Sequence, residues 1–233
     1  MTDAPPVPDL RLRLPGQWWT ADLNDRAGAL AAAGRLIRLR VGTTDDRAPL
    51  RARLHHDFVA AIDRAIEGGG RRMFLAIEIA EGVPLPIAIT VFAPDVELAP
   101  AIGTDPDRVL DVLERGMLSG EHGTVQERDS ITRVAAATSR AIRTVGVHTV
   151  EVGNGADRGE LDVAVVRYWI AVPGVKRLAL VDCSCSYAAL VDELVVFFDA
   201  LMRVASWATD DVAVEAPLEL VDSVESTVTN RLG

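Results

Sequence analysis

Several groups of residues in this chain are of types that do chemistry, and spacing decides what each could do. His55 and His56 are adjacent. On a helix their rings would point about 100° apart, so a single metal ion could not readily take both. Asp57 does not repair that spacing. His122 and His148 stand alone. Cys183 and Cys185 fall two apart in a predicted strand, so both thiols would face one side. They could hold a soft metal or take part in redox chemistry, but no second pair of ligands lies near them in sequence. A disulfide between them would be strained, and two cysteines make no framework. Burial as small apolar residues is the simpler reading. Ser130, Ser139, Ser184 and Ser186 have no G-x-S-x-G elbow around them, and Asp182 beside Ser184 has no histidine assigned to it. Glu78 and Glu81 lack a matching acid at readable spacing. Gly68-Gly69-Gly70 followed by Arg71-Arg72 has the glycines of a phosphate cradle. A P-loop places them before a helix and adds a lysine and a hydroxyl residue, whereas these close a predicted helix and read as its cap. No catalytic residue, metal site or cofactor is expected.

Two other sets point to binding. Arg133, Arg140, Arg143 and Arg167 occupy predicted strand positions; those facing inward could line a pocket for a small anionic ligand. Trp18 and Trp19 are neighbours on a predicted strand, so they face opposite sides. One of them exposed beside Arg11 and Arg13 would make a protein-binding patch. Core packing or edge cover competes with that reading, because aromatic residues dominate cores as much as interfaces.

The whole composition narrows the classes. The chain has 233 residues, enough for one large domain or two small ones. Hydrophobic residues make up 49% and charged residues 25%, as in ordinary globular proteins. A net charge of −10 argues against nucleic acid and against anionic membranes, both of which favour a basic surface. No apolar run is long enough to span a bilayer. The first residues carry Asp3 and a proline run instead of a basic segment and an apolar core, so cytoplasmic residence is expected.

The elements that must position these residues centre on 161–207. LDVAVVRYWIAV is β-branched and aromatic, and apolar on both faces, which predicts a central strand. Pro173-Gly174 turns the chain into a second strand, KRLALVDCSCSY. A long amphipathic helix follows, with Leu190, Val191, Leu194, Phe197, Phe198, Leu201 and Met202 on one stripe. Asp199 and Arg203 are spaced for an ion pair on its outer side. Upstream, residues 10–14 and 17–23 read as strands. Asn24 or Asp25 caps an alanine-rich helix reaching about Gly42, and a second helix covers 47–67 with Leu50, Leu54, Phe58, Ile62 and Ile66 in a row. A hairpin over 72–80 and 85–92 comes next, then a short helix from Asp105-Pro106, with a loop from Gly116 to Gly123. Residues 124–129 and 131–150 read as two or three antiparallel strands, and 153–159 as a hairpin loop. The expected layout is a disordered segment at 1–8, one domain over 9–207, and an acidic mobile tail at 208–233. In the tail Asp210, Asp211, Glu215, Glu219, Asp222 and Glu225 face Arg231 alone. Hairpins with helices gathered at the front, middle and end give an α+β fold with a mostly antiparallel sheet covered by helices on both faces, not alternating βαβ units.

Some local phrases are familiar. Leu14-Pro15-Gly16-Gln17-Trp18 resembles the early P-x-x-W segment of Mog1/PsbP-like proteins. Residues 85–91 look like their central hairpin strand. Tyr168-Trp169-Ile170-Ala171-Val172-Pro173-Gly174, Phe197-Phe198-Asp199-Ala200 and Ser206-Trp207 look like their closing hairpin and helix. The resemblance implies an α/β/α sandwich and a non-enzymatic binder: an assembly factor, a lipoprotein or a GTPase-binding adaptor. It transfers no functional residue. The lipobox cysteine is absent, and two helices stand between Asn24 and Glu67 where smaller members have one. The resulting expectation is a bacterial binding or adaptor module that recognises a protein partner or itself. An arginine-lined site for an anion, and a subunit of a larger assembly, are the alternatives.

Overall fold

The computed structural model describes residues 7–94, 103–119, 130–137, 139–153 and 158–208. Its elements are β1 (Leu10–Arg11), β2 (Gln17–Asp22), α1 (Arg26–Val41), α2 (Ala48–Glu67), β3 (Gly70–Glu78), β4 (Ile87–Phe92), α3 (Pro106–Ser119), β5 (Ser130–Ala136), β6 (Ser139–Val152), β7 (Gly159–Ala171), β8 (Leu178–Cys185), α4 (Val191–Val204) and β9 (Ser206–Trp207). The fold is α+β. Seven strands form one antiparallel sheet in the order β2-β3-β4-β8-β7-β6-β5. The predicted central strand is β7, flanked by β8 and β6 as its two apolar faces require. Gly174, at φ 76°, makes the turn into β8.

Alternation along the strands assigns each helix its side. Val166, Tyr168 and Ile170 share a core with Phe74, Ile89, Cys183 and the α4 residues Leu194, Phe198, Leu201 and Met202. The intervening Trp169 meets Val109, Leu110 and Met117 of α3. In register with that second set, Trp19, Ala21 and Met73 pack on Ala29 and Ala33 of α1 and on Ile62 and Ala65 of α2. Each large side chain buried in these clusters contributes about 1.5–3 kcal/mol before entropy.

Local chemistry explains the helix ends. Asp25 caps α1, its Oδ1 accepting the Gly28 N–H at 2.9 Å. Asp105 accepts the Arg108 N–H at 3.0 Å where α3 begins. The Gly68-Gly69-Gly70 run closes α2, as expected. A Cβ on Gly70 would lie 2.6 Å from the Ala65 carbonyl, so only glycine allows this approach of helix and strand.

Four details differ from the sequence reading. α3 runs through Gly116 to Ser119 instead of stopping there. Segment 10–14 yields only the two-residue β1, which pairs with β9 outside the main sheet. Ser206–Trp207 is therefore a strand and not the helix end. Leu190 is 37% exposed and precedes α4, and Leu50 is 48% exposed. The expected strand at 124–129, His122, and nearly all of the 1–8 and 208–233 segments fall outside the described residues.

Candidate functional site

β6 and β7 are 14 and 13 residues long, while their neighbours β5 and β8 have 7 and 8. β5 is described from Ser130, opposite Val145, and β8 stops at Cys185 opposite Ala164. The β6–β7 pairing continues from Gly146↔Val165 to Val152↔Gly159. Residues 146–152 and 159–163 therefore form a two-stranded ribbon about 20 Å long, with no strand on either edge among the described residues. Parity makes it two-faced. Thr149, Glu151, Glu160 and Asp162 lie on the α4 side. Val150, Val152, Leu161 and Val163 lie on the other. Val147, Val150, Val152 and Leu161 are each 36–40% exposed. Glu151 stands directly opposite Glu160, an unfavourable like-charge pair, with Arg158 at 3.7 Å from Glu151. At the ribbon's root an open recess of about 420 Å³ is lined by Val145, Gly146, Val147, Thr149, Asp162 and Val191. The Thr149 hydroxyl donates to Asp162 at 2.7 Å on its wall. A second cavity, between residues 7–10 and the end of β4, has about 10 Å³, room for one water.

The other end of β6–β7 carries a polar network. Asp199 of α4 accepts Tyr168 Oη at 2.7 Å and Arg143 Nη1 at 2.5 Å. Tyr168 is fully buried, and the Arg143 and Asp199 side chains are 15% and 22% exposed. Burial, then the hydrogen bond to Asp199, pushes the Tyr168 hydroxyl pKa far up, so it serves as a fixed donor. Asp199 thus faces the sheet and takes these partners in place of the Arg203 expected on its own helix. Sequence reasoning missed this role, since at the border of the apolar stripe Asp199 fits either direction. Cys183 and Cys185 are both buried and free on this side. Burial pushes both thiols up, and the Tyr187 N–H bond to the Cys185 sulfur opposes that only in part. Thiols held protonated are poor nucleophiles and poor ligands. No cluster of metal-ligating residues occurs among the described residues.

The four arginines of the anion-site expectation do not converge. Arg133 donates to Glu114 at 2.8 and 2.5 Å and to Asp111 at 2.6 Å, both on α3. Arg140 stands 3.7 Å from Asp107. Arg167 donates to Asp182 at 2.7 Å farther along the same face. Arg143 points through the opposite face to Asp199. Each already has a carboxylate that an anion would have to displace. The tryptophans do take opposite faces. Trp19 is buried edge-on to Phe58 at 5.6 Å. Trp18 is half-buried and donates its Nε1 to the Pro15 carbonyl at 2.6 Å. Arg13 is exposed and Arg11 half-buried, so these four form no open aromatic patch. His55 and His56 are both exposed on α2.

No family model, curated protein or solved structure matches this chain. No helix among the described residues is long and apolar enough to cross a membrane.

Proposed function

We propose that this protein is a non-enzymatic binding or adaptor module that recognises a protein partner through the projecting β6–β7 ribbon. One observation carries the reading: among the described residues, two strands run past both neighbours and keep apolar side chains exposed. Open strand edges are ready templates for pairing with another chain, and isolated hairpins are marginal in water unless something packs on them. The acidic side and the valine-lined recess favour a partner that brings positive charge and apolar side chains. The helix placement fits the α/β/α sandwich of Mog1/PsbP-like binders, and membership of that kind is part of the proposal, as is a cytoplasmic site of action.

The test is site-specific photo-cross-linking in extract of the cells that make the protein. A photoreactive residue at Val150 or Leu161 is expected to give protein adducts, and one at exposed Val204, at the end of α4 away from the ribbon, is not. Equal labelling at the three positions, or none, would sink the proposal.

A further inference from the structure

We infer that the partner is a second copy of this chain, held two-fold by the basic tip of the α1–α2 hairpin against the acidic face of the ribbon. This rests on the ribbon reading above and names its occupant.

The tip is a local exception to an acidic molecule. Residues 35–53 hold six arginines against two aspartates in a chain of net charge −10. Arg35, Arg38, Arg40 and Arg53 are exposed and make no ion pair among the described residues, and beside them Leu39 is 67% and Leu50 48% exposed. The other two arginines serve the hairpin itself: Arg47 donates to the Val41 carbonyl, and Arg51 to those of Gly42 and Thr44.

The tip and the ribbon project from the same end of the sheet. Ala65 of α2 lies against Gly70, and Phe58 lies against Trp19, which pairs with Leu75. Phe58 is ten residues from the start of α2, about 15 Å of helix. β3 has three residues left beyond Leu75, about 10 Å of strand. The loop at 42–47 therefore passes the sheet's end. Leu75, Ala88, Ser184 and Val165 form one row across the sheet, and the ribbon leaves that row in the same direction.

The faces complete the match. The tip lies on the side of the sheet to which Val150, Val152, Leu161 and Val163 point, and Glu151, Glu160 and Asp162 point away from it. A two-fold copy can thus interleave: tip, partner ribbon, own ribbon, partner tip. The two apolar ribbon faces meet in the middle, and each acidic face meets the other copy's arginines. Such an interface is isologous and closes at two chains.

Sedimentation of the full chain is the test. The wild type is expected at twice its 25.0 kDa mass and to dissociate as salt is raised. Reversing the ribbon (Glu151→Arg with Glu160→Arg) or the tip (Arg40→Glu with Arg53→Glu) should weaken the dimer by about 100-fold. An equimolar mixture of the two variants should restore it, since each altered surface then meets an opposite charge. A monomeric wild type, or a mixture that stays monomeric, overturns the dimer. A photoreactive residue at Leu39 in otherwise native chain gives an independent check. A doubled-mass adduct mapping to the ribbon supports the inference. An adduct within one chain to 209–233 means the acidic tail holds the tip and overturns it. Ribbon adducts only to a different protein overturn self-association but leave the binding module standing, whereas an absence of ribbon adducts removes both.

Discussion

At the Ala141↔Ile170 end, β6 and β7 are flanked by β5 and β8, lie under α4 on one side and α3 on the other, and hold Arg143 and Tyr168 to one aspartate. At the Val152↔Gly159 end the same two strands have no outer neighbour among the described residues, and they carry exposed valines and two glutamates face to face. Opposite charges face each other where they are buried, and like charges stand face to face where they are exposed. A buried arginine without its carboxylate costs several kcal/mol. An exposed like-charge pair costs well under about 1 kcal/mol, so it persists at little expense where a partner's arginines could use it.

The contrast can be tested by substitution. Phe198→Ala, in the α4 core, should lower unfolding stability by about 4 kcal/mol in urea titrations. Asp199→Ala should cost about 3 kcal/mol by leaving Arg143 and the Tyr168 hydroxyl unpaired. Adding Arg143→Met to it should recover part of the loss, because the stranded charge is then gone. Alkaline pH gives a smaller, graded effect. Tyr168 and Cys183 have folded pKa values raised above their unfolded ones. Their contribution is complete below the unfolded pKa and falls as pH climbs from there toward the folded values. The loss begins near pH 9 for the thiol and pH 10 for the phenol, with a slope of up to about 1.4 kcal/mol per pH unit for each. Native Cys183 should correspondingly resist thiol reagents until the chain unfolds. The smallest effect belongs to the ribbon: Val150→Thr or Leu161→Thr should change stability by no more than about 0.5 kcal/mol while reducing ribbon cross-linking. A ribbon substitution as costly as Phe198→Ala would erase the distinction between the two ends.

Legibility followed the range of the information. The α4 stripe from Val191 onward, a cap at Asn24 or Asp25, the helix opening at Asp105-Pro106, the two-sided strand at β7 and the hairpin turn at Gly174 all read correctly, because each is written in residues a few positions apart. The α+β class with an antiparallel sheet followed from their order. The candidate site was harder. Its signal was present as a mismatch, two strands of 13 and 14 residues beside neighbours of 7 and 8 among the described residues, but neighbours can be compared only once the strand order is known.

Periodicity and capping thus fixed the elements and their apolar faces from the amino acids alone, since propensity and hydrophobic spacing act within a turn or two of chain. Only the tertiary structure decided that Asp199 would turn toward Arg143, 56 positions away, and not toward Arg203 on its own helix. The same holds for the short β1–β9 pair, for the arginines that each met a separate acid, and for the ribbon that outran its sheet. Those outcomes depend on which distant segments are brought side by side, and Coulomb and packing energies act through space without regard to position along the chain.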